Sequence, residues 1–107
     1  MAMELDRDNY DIEVKQAEEP LLVDFWGPQC KPCLALMPAV DKFAEDFAGK
    51  LKIGKVDVSK NRMLCAKLRV MSVPTFILYH GGEEVNRLTG NDISRQDILN
   101  AIKQVVG

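Results

Sequence analysis

The chain has 107 residues, 47% of them hydrophobic, which is enough for one compact domain with its own core. Its 14 basic and 16 acidic residues give a formal net charge of −2, so the charge does not favour nucleic acid or an anionic membrane as a partner. No apolar run is long enough to cross a bilayer, and the opening stretch MAMELDRDNYD lacks the apolar segment of a signal peptide. We therefore expect a single domain over residues 1–107 and a cytoplasmic location.

Short elements are predicted before the first cysteine. A brief strand fits residues 3–5, and Asp8 or Asn9 is placed to cap a helix that runs to about Gln16. Residues 21–25 read Leu-Leu-Val-Asp-Phe and are apolar at every position but one. This pattern predicts a strand that is covered on both faces, as in the centre of a sheet.

A long helix is predicted to follow the first two cysteines. Apolar residues recur there at helical spacing, namely Cys33, Leu36, Met37, Val40, Phe43, Ala44 and Phe47. The stripe ends near Gly49, and glycine commonly terminates helices. Pro38 lies within this stretch and removes a hydrogen bond to the carbonyl of Leu34, so we expect a kink in the helix axis.

The second half of the chain adds strands, a short helix and a hairpin. In chain order we predict a strand at 52–58, a helix at 61–68, a strand at 75–79, a turn at 80–83 and a strand at 84–88. Ser94 and Asp97 resemble a capping box. They open a last helix that turns Ile98, Leu99, Ile102, Val105 and Val106 inward. Helices alternate with strands before the hairpin, which predicts an α/β fold with a mixed sheet and helices on both faces.

Cys30 and Cys33 form a C-x-x-C pair, while the third cysteine, Cys65, stands alone. Three cysteines are too few for the disulfide framework of a secreted protein, which leaves metal binding or redox chemistry for the pair. A bridge from Cys30 to Cys33 closes a very short loop and contributes only about 2 kcal/mol, so structural stabilisation is a poor reason for it. Thiol–disulfide exchange is a better one.

The surroundings of the pair predict different roles for its two members. Cys30 lies at the mouth of the predicted helix, where free N–H groups and the helix dipole favour a thiolate. Lys31 adds a positive charge, and Pro32 is tolerated in the first turn. Cys33 belongs to the buried stripe. We therefore predict that Cys30 attacks a substrate disulfide and that Cys33 resolves the mixed disulfide.

Asp24 is the one carboxylate in the predicted strand at 21–25. If both faces of the strand are covered, poor solvation raises the pKa of Asp24, and the group can exchange a proton with Cys33. Lys55 on the neighbouring predicted strand is placed to temper that rise. The alternative is an ordinary polar residue at a half-exposed strand end, and the sequence favours neither interpretation.

The sequence resembles the thioredoxin family over essentially its whole length. The matching pieces are Val23-Asp24-Phe25-Trp26, the C-x-P-C pair, Pro38, Lys55-Val56-Asp57, Ser72-Val73-Pro74-Thr75, Gly82 and Gly90. A lone C-x-x-C is a weak signal, whereas all these pieces in this order form a highly specific one.

The resemblance implies a thioredoxin fold, with a central mixed β-sheet flanked by helices on both faces. It implies a protein-disulfide reductase, an electron-transfer redox protein without a bound cofactor or metal, that acts through a reversible Cys30–Cys33 dithiol/disulfide pair. It also implies a cis bond before Pro74 and backbone pairing between Val73 and an extended substrate. The expected substrate-binding residues are Trp26, Lys31, Pro32, Val73, Pro74, Gly90 and Asn91. The expected electron donor is a flavoprotein, thioredoxin reductase, and we expect a monomer that acts on oxidised protein substrates.

Two positions depart from the family pattern. Lys31 stands where glycine is usual, and Gln29 stands where a tryptophan usually precedes the first cysteine. The rim of the site is therefore predicted to be less aromatic and more cationic than is typical of the family.

Two other functions compete with disulfide reduction. Cys30, Cys33, Cys65 and His80 together match the ligand types of a Cys₃His zinc site. A pure docking module would keep the fold and use the face around Trp26 and Pro74 only for binding. Against zinc, Cys33 belongs to a regular amphipathic helix and the core needs no metal. Separately, we expect Cys65 to be a small buried hydrophobe and His80 to be exposed on its turn.

Overall fold

The computed structural model describes residues 2–106, which form a five-stranded sheet and four helices. In chain order the elements are β1 (Met3–Glu4), α1 (Tyr10–Gln16), β2 (Leu21–Trp26), α2 (Lys31–Asp46), β3 (Lys52–Asp57), α3 (Arg62–Leu68), β4 (Thr75–His80), β5 (Glu83–Thr89) and α4 (Arg95–Val105). Every predicted element is present, and most of the observed boundaries lie within two residues of the predicted ones.

The strands lie in the order β1-β3-β2-β4-β5. The first three pair in parallel, and β4 pairs antiparallel with both β2 and β5, so the sheet is mixed as predicted. β2 lies at the centre, where neighbours on both sides complete its hydrogen bonds. All residues of the predicted strand at 21–25 are buried.

Side chains of β2 alternate between two cores, one on each face of the sheet. Leu21, Val23 and Phe25 join a core with residues of α1 and α3, whereas Leu22 joins a core with residues of α2 and α4. Helices therefore flank both faces, which is the predicted architecture. By the same alternation, Asp24 faces the side of the sheet that α2 and α4 cover.

The helix ends show one confirmed and one incorrect capping prediction. Ser94 Oγ accepts a hydrogen bond from the Asp97 N–H at 3.1 Å, and Asp97 Oδ2 accepts one from the Ser94 N–H at 2.9 Å, so the capping box of α4 is present. Asn9 occupies the N-cap of α1, but its side chain does not cap the helix. Its Oδ1 instead accepts a hydrogen bond from the Asp6 N–H at 2.8 Å, because the side chain turns back to close the preceding loop.

α2 begins two residues before the apolar stripe that predicted it. Lys31 and Pro32 form the first turn, and Cys30 is the N-cap. These residues lie at the rim, so no buried position marks the start of the helix in the sequence. Pro38 lies inside α2 as expected, and the kink it should cause stays a prediction.

Candidate active site

The cysteine pair lies at the junction between β2 and α2. Cys30 has an extended backbone at the N-cap, and its Sγ accepts a hydrogen bond from the Cys33 N–H at 3.2 Å. The two residues are joined as a disulfide, with 5.3 Å between their Cα atoms. The Cys33 N–H, one of the donors of the first turn that have no partner within a helix, thus points towards the Cys30 sulfur.

The two sulfurs differ in access. Cys30 is half-buried and lines an open groove, whereas the residue exposure of Cys33 is only 1%. A substrate that enters the groove therefore meets Cys30 and not Cys33.

The groove combines apolar, small and charged residues. Its lining is Gly27, Pro28, Gln29, Cys30, Lys31, Pro32, Val58, Ser59, Arg62, Val73 and Asn91. A Cβ placed on Gly27 would lie 3.9 Å from both the Cys30 Cβ and the Val73 Cγ2, so Val73 lies close to Cys30. The bond between Val73 and Pro74 is cis, as the resemblance implied.

The predicted substrate-binding residues are only partly gathered in this groove. Lys31, Pro32, Val73 and Asn91 line it. The other three, Trp26, Pro74 and Gly90, do not. Trp26 is half-buried and lines a separate hollow together with Ala2, Met3, Glu4 and Lys55, while Pro74 is buried and Gly90 is half-buried beside it.

Three groove residues on the segment after β3 were not predicted: Val58, Ser59 and Arg62. The parallel pairing of β2 with β3 places Trp26 opposite Asp57, so the residues that follow the two strands meet at one edge of the sheet. The expectation that the strand with Lys55 neighbours the strand at 21–25 was the signal that could have placed this segment beside the cysteines, because the residues after two adjacent parallel strands lie at the same edge of the sheet.

Asp24 is buried below the site, with 1% exposure, and neither of its carboxylate oxygens has a hydrogen-bond partner within residues 2–106. The pKa of Asp24 is raised to about 7, and the largest cause is burial in this poorly solvated position. The positive charge of Lys55 opposes the rise, and the negative charge of Asp41 adds to it. The alternative of a half-exposed strand end is therefore wrong.

Lys55 is shared between two carboxylates. It lies opposite Asp24 in the register of β2 and β3, and its Nζ donates to Asp41 Oδ1 at 2.9 Å. Asp41 is exposed on α2 and is the ion-pair partner of Lys55.

Known proteins share this sequence pattern over nearly the full length. The family model described as Thioredoxin matches residues 1–104. The protein is 36% identical to "Thioredoxin" of Peptoclostridium acidaminophilum over 107 residues, which covers all of this chain and 97% of that protein. It is 33% identical to "Thioredoxin" of Acetoanaerobium sticklandii over 103 residues, which covers 96% of this chain and 98% of that protein.

The chain belongs to the thioredoxin family. It has the thioredoxin fold, and it is a thiol–disulfide oxidoreductase that reduces disulfides in protein substrates through the redox-active pair Cys30 and Cys33. The prediction from the sequence is confirmed on these points.

The zinc alternative requires four ligands in one place, and the structure separates them. His80 ends β4, which runs antiparallel to β2, so it lies beside the start of β2 while the cysteine pair follows its end. Cys65 packs in the core on the α1 and α3 face. Within residues 2–106, no group of three or more His, Cys, Asp or Glu side chains is placed to hold a metal ion. His80 is exposed and Cys65 is buried, as expected.

Among residues 2–106, none of the helices combines the length and the apolar character needed to cross a membrane.

Proposed function

We propose that Cys30 is the attacking thiol and Cys33 the resolving thiol in the reduction of protein disulfides. The Cys30 thiolate attacks one sulfur of the substrate disulfide and displaces the other as a thiolate. Cys33 then attacks the Cys30 sulfur, releases the second substrate thiolate and forms the Cys30–Cys33 disulfide, so two electrons pass to the substrate. The observation that carries this assignment is the contrast in access, with Cys30 on the groove and Cys33 at 1% exposure.

The local hydrogen bond supports the same assignment. The Cys33 N–H points at the Cys30 sulfur at 3.2 Å, and an N–H donor at a helix N-terminus stabilises a thiolate more than a neutral thiol. Lys31 adds a positive charge next to it. Cys30 is thus the better nucleophile and, in the mixed disulfide, the sulfur that Cys33 reaches within one helical turn.

Asp24 is proposed to exchange the proton of the resolving step. Cys33 must lose a proton before it attacks, and a carboxyl whose pKa lies at about 7 can take up and return a proton near neutral pH. Lys55 is proposed to tune this group through its charge, since it lies opposite Asp24 in the register and holds the pKa below the value that burial alone would give.

The substrate is proposed to bind as an extended segment along Val73. Within residues 2–106, neither the N–H nor the C=O of Val73 has a hydrogen-bond partner, because the ladders of β4 end at Thr75. Free main-chain groups beside the reactive sulfur suit backbone pairing with a substrate strand. The side chains of Lys31, Pro32 and Asn91 border the same groove, and Trp26, Pro74 and Gly90 are proposed to contact larger substrates around it.

We also propose a flavoprotein thioredoxin reductase as the electron donor that returns the Cys30–Cys33 disulfide to the dithiol. The protein is proposed to act in the cytoplasm as a monomer with a single domain and without a bound cofactor. Support comes from the family membership, which implies disulfide substrates and a reductase of this kind.

Trapping tests the roles of the two cysteines. In a Cys65→Ser background, Cys33→Ser is mixed in reduced form with an oxidised substrate such as insulin, quenched with acid and digested for mass spectrometry. We expect a mixed disulfide through Cys30 that persists, because nothing resolves it. The Cys65→Ser protein alone is the control and should show no lasting adduct. An adduct on another residue, or none at all, contradicts the proposed roles.

A further inference from the structure

The charged side chains around the groove have one sign. Among residues 2–106, Lys31 and Arg62 are the only charged residues that line it. An adjoining hollow shares Ser59 and Arg62 with the groove and adds Arg7 and Lys60, again without an acidic residue. We call Lys31, Arg62, Lys60 and Arg7 the basic strip. It leads away from Cys30 along the start of α3.

The basic strip is a local departure from the charge of the molecule, which carries 16 acidic and 14 basic residues. Within residues 2–106, none of its four side chains forms an ion pair with a carboxylate. Asp57 lies near the strip but is buried, and its Oδ1 accepts hydrogen bonds from the Ser59 N–H at 2.9 Å and the Ser59 hydroxyl at 2.6 Å. The positive charges at the surface are therefore available to a partner.

The strip also has an end. Arg7 and Lys60 also line the next hollow, where they lie among the acidic residues Glu4, Asp6, Asp8 and Asp57. A bound segment with negative charge would be attracted along the strip and repelled past it. This limits the charged part of the partner to a few residues on one side of the reactive sulfur.

We propose that the preferred substrates are proteins in which the disulfide cysteine is flanked by an extended acidic segment, and that the basic strip selects them. This inference rests on the proposed function, in which Cys30 attacks the substrate disulfide. The apolar part of the groove, with Pro28, Pro32 and Val73, accepts the residues next to the substrate cysteine, while carboxylates further along pair with the strip.

A protein segment fits this surface better than a nucleic acid. Single-stranded nucleic acid is bound by aromatic side chains on which bases stack, together with a basic groove. In the part of the chain that the structure describes, no aromatic residue lines the groove or the adjoining hollow. The free main-chain groups of Val73 offer instead the pairing that an extended peptide needs.

Symmetric disulfides of short peptides test the proposal. The peptides have one central cysteine with runs of glutamate, glutamine or lysine on both sides. Cys30 displaces one peptide thiolate and Cys33 the other, so one dithiol reduces one peptide disulfide. Rate constants are measured by rapid quenching and chromatography at low and high salt.

We expect reduced protein to act roughly tenfold faster on the glutamate peptide than on the glutamine peptide at low salt, since each exposed ion pair adds roughly 1.5- to fivefold. The lysine peptide should be the slowest. The preference should largely disappear at about 500 mM salt, where screening is strong. Glutamates lower the intrinsic reactivity of their own disulfide, so a preference for them must come from the protein.

Variants locate the source of the preference. The double variant Lys60→Gln/Arg62→Gln should reduce it to roughly threefold, because two of the four positive charges are lost. Lys103→Gln is the matched control, since Lys103 is exposed on α4 and lines neither hollow. The control should keep the full preference. A preference that is the same in all these proteins, or that salt does not change, overturns the proposal.

Binding to the oxidised protein separates this proposal from the roles of the cysteines. A glutamate peptide with serine in place of cysteine should shift backbone amide NMR signals along the strip, and the glutamine peptide should not. Such binding without reduction of any peptide disulfide would support selection by the basic strip and contradict the proposed roles of the two cysteines. Equal reduction of all peptides without binding would contradict selection by the strip and leave the cysteine roles in place. Displacement by a short single-stranded oligonucleotide, or a salt-sensitive dimer in sedimentation, would also overturn the proposal.

Discussion

The rim and the floor of the site use charge in opposite ways. At the rim, Cys30, Lys31 and Arg62 border an open groove, where water and salt weaken each interaction. At the floor, Asp24 is buried with both oxygens unpartnered within residues 2–106, and the loss of solvation dominates its behaviour. The contrast teaches that the proposed partner selection and the proposed proton chemistry rely on different physical conditions. In this proposal several exposed charges each act weakly on the first, and one buried charge acts strongly on the second.

The largest expected effect comes from the cysteines, one on each side of this comparison. Cys30→Ser should abolish disulfide reduction, because no nucleophile remains at the rim. Cys33→Ser should still attack but fail to turn over. In the reduced protein at neutral pH, an alkylating reagent should label Cys30 faster than Cys33, which peptide mapping can follow. Faster labelling of Cys33 would reverse the assignment of rim and floor.

Asp24→Asn should change the pH dependence of stability. The folded-state pKa of about 7 lies above the ordinary value of 3.8, so the unfolded chain releases this proton first as the pH rises. The free energy of unfolding should therefore fall between about pH 4 and pH 7 and level off above, by on the order of 4 kcal/mol from this one group. Asp24→Asn should lack this fall and be the more stable protein above neutral pH.

Denaturant unfolding of the oxidised proteins at a series of pH values measures this effect. A buried amide without partners has its own cost, so the difference in pH dependence is a cleaner quantity than the stability at one pH. Parallel curves for the two proteins would show that Asp24 titrates normally. In kinetics, Asp24→Asn should leave mixed-disulfide formation nearly unchanged and slow its resolution. Equal slowing of both steps would count against a proton-transfer role.

A smaller effect is expected from the ion pair beside Asp24. Lys55→Met should raise the pKa of Asp24 further, because a positive charge that lowers it is lost. Asp41→Asn should lower the pKa of Asp24, because a negative charge that raises it is lost. Both changes break the same 2.9 Å ion pair. NMR titration of the Asp24 carboxyl carbon should therefore show opposite shifts, whereas a purely structural role of the pair would produce shifts in one direction.

The smallest effect is expected at the rim. Unit charges about 6 Å apart interact by roughly 2–3 kcal/mol at an effective dielectric near 20, and the exposed Lys31 retains a fraction of that. The charge favours the thiolate, which only the reduced protein has, so it should raise the reduction potential. Lys31→Gln should lower the potential by about 15 mV.

Titration against glutathione at low and high salt measures this change. Lys31→Gly is the less clean comparison, because glycine also frees the backbone of the turn. An unchanged or higher potential for Lys31→Gln at low salt would show that the charge of Lys31 does not set the redox balance.

Local patterns predicted most of the fold. Apolar spacing gave α2 its stripe of buried residues, and Ser94 with Asp97 marked the start of α4, because both signals lie within a few neighbouring residues. The apolar stripe alone begins two residues after the start of α2, since Lys31 and Pro32 bury little, but Pro32 was correctly expected in the first turn. Asn9 was misjudged as a side-chain cap because its alternative partner, the Asp6 N–H, lies in a loop that propensity does not describe.

The site was predictable only where its parts adjoin in sequence. Cys30 and Cys33 were assigned from their spacing and from the resemblance to a family. The burial of Asp24 depends on what covers β2, which is a property of the whole fold and left two interpretations equal at first. Val58 and Arg62 reach the groove through the register of two parallel strands, which no short pattern encodes.

Cys65 is a built-in reporter of local opening of the fold around α3. The residue is 6% exposed in the core on the α1 and α3 face, and burial raises the pKa of its thiol, so in the folded protein two effects protect it from thiol reagents. It takes no part in the Cys30–Cys33 bridge, so in the oxidised protein it is the one cysteine thiol left to label. The rate at which a thiol reagent modifies Cys65 therefore reports how often α3 separates from the sheet, without any added probe.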